Sequence, residues 1–418
     1  MPIVHKNNGK VKFEKTPGEK TAALHNLGCK VNAYETEALR ELLEAEGYCI
    51  VPFTEAADVY VVNTCTVTNI ADKKSRQMLR RARKLNPAAQ IVAVGCYVDT
   101  AKSDLVESGI CDIAIGNEDK NKLIGMLRRP AMHTRAFLKV QDGCEMYCAY
   151  CLIPYARGRS KSRDREEILE EVAGLVKNGF QEFVLTGIHL SSYGKDTGDT
   201  LLSLIEAVDR IPGVKRIRLG SLEPRIITEA FCRGLSGIQS LCPHFHLSLQ
   251  SGCVSTLQRM NRHYTPEEYR ACCELLRSFF THPAITTDVI TGFPGETEEE
   301  FAETVSFLKE RALYEIHVFP YSKRSGTRAA KMDGQVPEET KKARSAVLLE
   351  LTERQAEAFR SYYLGKEEEI LLEECEVHEG IRYFTGYTKE YVKLAVAAEG
   401  REANTFARGI VGEELRLL

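Results

Sequence analysis

The sequence predicts an α/β protein in three successive parts: a doubly wound parallel sheet, a partial (β/α)6 barrel and a small all-β barrel. Three observations lead there. Short apolar runs alternate with helix-periodic stretches from about residue 21, the alternation restarts near residue 132, and beyond residue 364 only short strand-like runs remain. At 418 residues the chain exceeds one ordinary core. Its 43% hydrophobic and 28% charged content is that of a globular protein, and a formal charge of −3 excludes a global attraction to nucleic acid, so any RNA contact must come from local patches.

Residues 1–20 are polar and Lys-rich and are expected to form a mobile leader. In the first domain, 21–128, the runs Thr21–Gly28, Asp58–Thr64 and Gln90–Gly95 read as buried parallel strands, with helices near 34–47, 70–86 and 98–108. Each strand is followed at once by a cysteine: Cys29, Cys65 and Cys96. Ligands of open parallel sheets gather at the carboxyl ends of strands, so these three thiols are expected to converge although they lie far apart in the chain. Cys49, Cys111, Cys232, Cys242, Cys272 and Cys273 read instead as small buried hydrophobes.

The second domain, 132–364, carries strands near 135–140, 181–187, 214–221, 243–249, 284–290 and 314–321 and ends in a charged helix from about 336. Barrel chemistry sits at strand carboxyl ends, and the run Asp142–Pro154 follows the first of these strands. It holds Cys144, Cys148 and Cys151, with Tyr150 just before the last. Three thiolates on one loop leave a fourth position empty. A structural zinc closes with four ligands, whereas a four-iron cluster held by three Cys keeps one iron open; a zinc knuckle borrowing a distant His or Cys is the competing reading. The start of the chain lacks an apolar signal core and no stretch is long enough to span a bilayer, so a cytoplasmic protein without membrane partners is expected, its fourteen Cys being thiols.

The Cys-x3-Cys-x-aromatic-Cys run resembles that of the radical S-adenosylmethionine (SAM) enzymes. The resemblance implies a [4Fe-4S] cluster whose open iron chelates SAM and whose electron cleaves it to a 5′-deoxyadenosyl radical. Thr286–Glu300 reads on its own as strand, glycine turn and a helix begun by a Thr297/Glu300 capping box. The resemblance makes it a wall of the SAM pocket, with Asp288, Ile290 and Gly292, and adds Tyr150, Thr186, Gly187, Ser248 and Gln250 as further cofactor-binding groups.

The tail, 365–418, fits a five-stranded barrel of the oligonucleotide-binding sort, with Gly386–Ala395 its clearest strand, and resembles the TRAM domain. The combination of three domains resembles the methylthiotransferases from about residue 21 onward. That likeness implies a second [4Fe-4S] cluster on Cys29, Cys65 and Cys96. It also implies two SAM molecules per reaction, one methylating a sulfur and one supplying the radical that takes hydrogen from C2 of a tRNA adenosine. Implied partners are tRNA through its anticodon loop, a reductant such as flavodoxin or ferredoxin, and a sulfur donor.

Charge is unevenly placed. The tail carries 12 acidic and 7 basic side chains, a poor composition for gripping phosphates. The stronger basic runs are Lys73, Lys74, Arg76, Arg80, Arg81, Arg83 and Lys84 after Cys65, and Arg157, Arg159, Lys161, Arg163 and Arg165 after the loop cysteines. Since both flank the thiol sets, they predict a phosphate-tracking surface. Leu27–Asn32 and Tyr34–Glu37 resemble the branch acting on N6-threonylcarbamoyladenosine at position 37 of tRNA. The isopentenyladenosine branch has Gln-Met after the Gly-Cys pair, and the branch modifying an Asp of a ribosomal protein has Pro-Lys; here Lys30-Val31 stands there. A buried threonyl carboxylate needs a cationic or hydrogen-bonding partner, for which Arg157, Arg159 and Arg324 are candidates, each equally readable as a surface or phosphate contact. A radical SAM enzyme without the second cluster and a zinc-stapled, non-catalytic RNA-binding protein are the other readings.

Overall fold

The computed structural model describes residues 5–7, 10–12, 20–124, 134–378 and 381–418. Within the expected leader, His5–Asn7 (β1) and Lys10–Lys12 (β2) pair antiparallel; most of its other residues, and the expected boundary at 128–132, lie outside the described ones. Two compact units emerge: Met1–Pro130 with Leu152–Gly158, and Ala131–Cys151 with Arg159–Leu418.

The first unit contains β3 (Thr21–Asn26), α1 (Lys30–Ala45), β4 (Cys49–Ile50), β5 (Val59–Thr64), α2 (Asn69–Leu85), β6 (Gln90–Gly95), α3 (Cys96–Glu107), β7 (Ile113–Ile115), α4 (Asn117–Ile124) and the short α5 (Ile153–Arg157). Strands β3 to β7 form one all-parallel sheet in the order β4-β3-β5-β6-β7. Both faces are covered, Tyr60, Val62 and Ile91 packing on one side and Val59, Val61 and Val94 on the other, which is why these strands read as unbroken apolar runs. Thr68 caps α2 through the Ala71 N–H, and Ser75, Leu79 and Ala82 turn its buried stripe inward, leaving the basic residues on the opposite side.

In the second unit β8 (Arg135–Asp142), β9 (Lys161–Ser162), α6 (Arg165–Lys177), β10 (Glu182–Gly187), α7 (Leu201–Asp209), β11 (Arg216–Leu219), α8 (Glu229–Ser236), β12 (His244–His246), α9 (Val254–Arg259), α10 (Pro266–Phe279), β13 (Ala284–Thr291), α11 (Glu298–Arg311), β14 (Glu315–Pro320) and α12 (Glu338–Ser361) form the partial barrel. Strands β8, β10 and β11 pair in parallel, as do β12, β13 and β14, and bridges Ile217↔Leu241 and Leu222↔Leu247 continue the curve between the two sets. On β13, Ile285 and Val289 are buried in the apolar core and Ile290 packs partly buried against it, while Asp288 meets His246.

The tail forms one five-stranded antiparallel sheet, β15 (Glu367–His378), β16 (Ile381–Tyr387), β17 (Lys393–Ala397), β18 (Phe406–Ile410) and β19 (Arg416–Leu417), in the order β18-β15-β16-β17-β19. Gly386–Ala395 is not one strand. It is the turn of the β16–β17 hairpin, where Gly386 pairs with Leu394 and Tyr391 adopts φ 71°; its alternating pattern mimics a strand because both hairpin ends contribute to it. Two buried arginines hold this sheet against the barrel. Arg216 donates to the carbonyls of Tyr387 and Glu369, and Arg218 donates to those of Lys389 and Thr388 and to Glu182 at 2.6 Å.

Candidate active site

In the first unit the sheet delivers the three predicted thiols from the ends of β3, β5 and β6. Gly28 stands before Cys29 with φ +107°, and a Cβ there would lie 2.9 Å from the Cys65 sulfur, so glycine both makes the turn and lets that thiol in. Cys65 is fixed by Ser75, whose hydroxyl accepts from its N–H and donates to its carbonyl. Burial pushes the Cys65 thiol up to about 11, so a metal there must displace a firmly held proton. Cys96, the first residue of α3, is buried.

The Cys96 sulfur receives two donors. Asn117 Nδ2 lies 3.6 Å away and Arg157 Nε 3.2 Å. The Arg157 guanidinium is itself fixed by Glu35 at 3.1 and 3.2 Å and by Asn32 at 2.7 Å, and Lys120 closes on Glu35 at 2.6 Å. Arg157 is thereby removed from the phosphate-contacting set predicted for it: its side chain is 1% exposed. Proximity to the loop cysteines in sequence suggested a surface residue, whereas Leu152–Gly158 packs within the first unit.

In the second unit the loop after β8 turns at Gly143 (φ 72°) and Tyr147 (φ 47°) to present Cys144, Cys148 and Cys151. Cys148 is buried, and Arg262 donates to its sulfur at 3.3 Å. Tyr264 Oη accepts from Arg262 and donates to the carbonyls of Ser248 and Leu249, so the β12 end is tied to the loop. Tyr150 meets Phe293 edge-on at 6.3 Å.

Among the described residues, one group of three or more His, Cys, Asp or Glu brings all its ligand atoms within 4.8 Å: His246, Asp288 and His317. Neither thiol set is drawn that close. Each thiol set offers three sulfurs, one short of the closed four-ligand shell of a structural zinc and the number that holds a four-iron cluster with one iron open.

The remaining predicted cofactor residues lie at strand ends. Gly187 permits close approach of Gln141, whose side-chain oxygen would be 2.8 Å from an added Cβ, and Thr186 is buried beside it. Gln250 (φ 72°) links to β13 by donating to the Asp288 carbonyl at 2.8 Å and accepting from Ile290 N at 2.9 Å, bringing three of the named residues together. Asp288 faces His246, 3.3 Å from its Nε2. Gly292 packs on Lys341, and its N–H donates to Glu296 at 2.6 Å.

Of the basic residues on α2, Lys73, Lys74, Arg80 and Arg81 are exposed. Arg83 is committed to Asp112 at 2.6 Å and the Ala89 carbonyl at 2.9 Å. Arg159 is 89% exposed, 3.9 Å from Glu145, while Arg324 is buried at 4%. Sequence reading missed Glu35, Lys120, Asn117, Gln141 and Arg262. Glu35 left a trace, a charge among the inward-facing residues of α1; Arg262 left none.

Comparison with known proteins fits this arrangement. Residues 21–116 match the uncharacterized protein family UPF0004 and residues 138–308 the radical SAM superfamily. The threonylcarbamoyladenosine tRNA methylthiotransferase MtaB of Bacillus subtilis (strain 168) is 42% identical over 404 residues, covering 90% of each chain. The chain belongs to the MtaB family of tRNA methylthiotransferases. MtaB of Aquifex aeolicus is 38% identical over 82% of this chain and 91% of its own, whereas the tRNA-2-methylthio-N(6)-dimethylallyladenosine synthase of Acetivibrio thermocellus is 34% identical over 90% and 85%. The radical S-adenosylmethionine methyltransferase TsrM of Kitasatospora setae shares the fold, with a TM-score of 0.56 at 14% identity over 72% of this chain and 73% of its own. No helix among the described residues is long and apolar enough to cross a membrane.

Proposed function

We propose that the chain adds a methylthio group to C2 of N6-threonylcarbamoyladenosine at position 37 of tRNA. The observation that carries this reading is the pair of separate three-thiol sets in a chain that, over 90% of its length, is 42% identical to an MtaB and 34% identical to a dimethylallyladenosine enzyme. Cys144, Cys148 and Cys151 would hold the SAM-cleaving [4Fe-4S] cluster, and Cys29, Cys65 and Cys96 a second. With SAM bound, such a cluster supplies a 5′-deoxyadenosyl radical able to take hydrogen from an aromatic C–H bond that acid/base chemistry cannot open.

The chain's own part is to hold and to shield. Arg262 and Tyr264 fix the cysteine loop against the β12 end, Gln250 locks that end to β13, and the apolar edges of Tyr150 and Phe293 keep water from the loop's inner side. The exposed cations of α2 suit phosphates, and an unpaired loop offers a base that can be splayed out. Of the three arginines considered for the threonyl carboxylate, Arg159 alone is exposed. A low-potential reductant and a sulfur donor complete the partners.

The test is mass spectrometry of tRNA nucleosides from cells lacking this gene. The 2-methylthio derivative of threonylcarbamoyladenosine should vanish while that of isopentenyladenosine, where present, persists. The opposite pattern would move the chain to the dimethylallyladenosine branch.

A further inference from the structure

Resting on that reading, we infer that Arg157 is a positioning residue for the metal group held by Cys29, Cys65 and Cys96, directing its Nε–H at the Cys96 sulfur and setting the group's reduction potential. A surface arginine would be held loosely; this one is held at every nitrogen. Nε donates to Cys96 at 3.2 Å, Nη1 to Glu35 Oε1 at 3.1 Å, and Nη2 to Asn32 Oδ1 at 2.7 Å and Glu35 Oε2 at 3.2 Å. The two-point contact with Glu35 fixes the plane of the fork and therefore the direction of the remaining N–H.

The fork's support is itself anchored. Asn32 donates to the carbonyls of Leu27 and Thr64, the chain segments leading into Cys29 and Cys65. Lys120 donates to Glu35 at 2.6 Å, with neither side chain exposed, and approaches Asn63 at 3.4 Å. Asn117 joins Cys96 to Asp99 and to the Ala156 carbonyl beside Arg157. One network thus touches all three cysteine-bearing turns. Burying Glu35, Lys120 and Arg157 together is costly and gives weak stability in return, so a fold need alone would be met as well by apolar residues.

What the network supplies is a charged donor at a thiolate. Hydrogen bonds to cluster sulfurs and nearby positive charge favour the reduced, more negative state and raise the potential. A lysine at 157 would keep the charge and lose the fork, so geometry and charge can be separated.

The experiment uses the full chain in a Cys148→Ala background, where the SAM-cleaving set cannot assemble and any iron signal belongs to the first unit. After anaerobic reconstitution, iron and sulfide are counted and the midpoint potential is read by EPR-monitored titration. Arg157→Gln should retain iron and shift the potential to more negative values, Arg157→Lys should recover only part of the shift, and Glu35→Gln, which loosens the fork but also removes a negative charge, should shift it less than Arg157→Gln. In the parent, the proton ENDOR lines of the reduced group that are lost on exchange into D2O should include one from Arg157 Nε–H beside that of Asn117, and the Arg157 line should be missing in Arg157→Lys, a readout that needs only the mildest of the three variants to fold. Full iron with an unmoved potential and an unchanged exchangeable proton would overturn the role of Arg157 and leave the two-cluster reading standing. Absence of iron from the Cys148→Ala parent would instead overturn the two-cluster reading itself.

Discussion

Replacing Lys73, Lys74, Arg80 and Arg81 together by Gln should weaken tRNA binding in a way that salt reveals. These four project from the face of α2 opposite Ser75, Leu79 and Ala82. If each meets one phosphate of an unpaired strand, each contributes about 0.7 to the slope of log affinity against log salt, so losing all four flattens the slope by about 3. Between 50 and 200 mM salt that amounts to about 50-fold: the parent should lose about 50-fold more affinity over the interval than the variant. Fluorescence anisotropy of a labelled anticodon stem-loop across a KCl series measures both lines. Arg83→Gln is the internal control, since that guanidinium is held by Asp112 and the Ala89 carbonyl and should leave the slope unchanged. Parallel lines for parent and four-site variant, with flattening on deletion of residues 366–418 instead, would refute the assignment of phosphate binding to α2.

Two further outcomes are expected. Cys148→Ala should lose about half the iron and stop SAM cleavage, whereas Cys65→Ala should lose the other half and keep SAM cleavage without methylthio transfer; iron counting and 5′-deoxyadenosine assay decide, and wild-type cleavage by Cys148→Ala would sink the assignment of the loop cysteines. Arg218→Met should destabilise the second unit by about 2–4 kcal/mol, because it removes the 2.6 Å partner of the Glu182 carboxylate and leaves two buried carbonyls without their donor, with the longer contacts of Arg216 at 3.7 Å and Arg135 at 3.9 Å left to hold Glu182. Urea unfolding and limited proteolysis should show the C-terminal sheet released first, and a change under ~1 kcal/mol would refute that account.

Local pattern places the longer elements and the thiols at their ends. Strands buried on both faces, such as Val59–Thr64, announce themselves as apolar runs, and a cysteine at the end of each run follows from chain order alone. Short elements were not legible: β4 and β7 have two and three residues, too few to show a period, and the hairpin at Gly386–Ala395 borrowed its alternation from two strands. Charge in a run was legible as composition but not as destination. Arg80 and Arg157 look alike in the sequence, yet one faces solvent and the other is clamped by Glu35, 122 residues away. Only tertiary structure decides that, because a buried charge is defined by the partners that compensate it, and those partners arrive through long-range packing rather than through local periodicity. The same holds for Arg262 at Cys148 and for Arg218 beneath the C-terminal sheet.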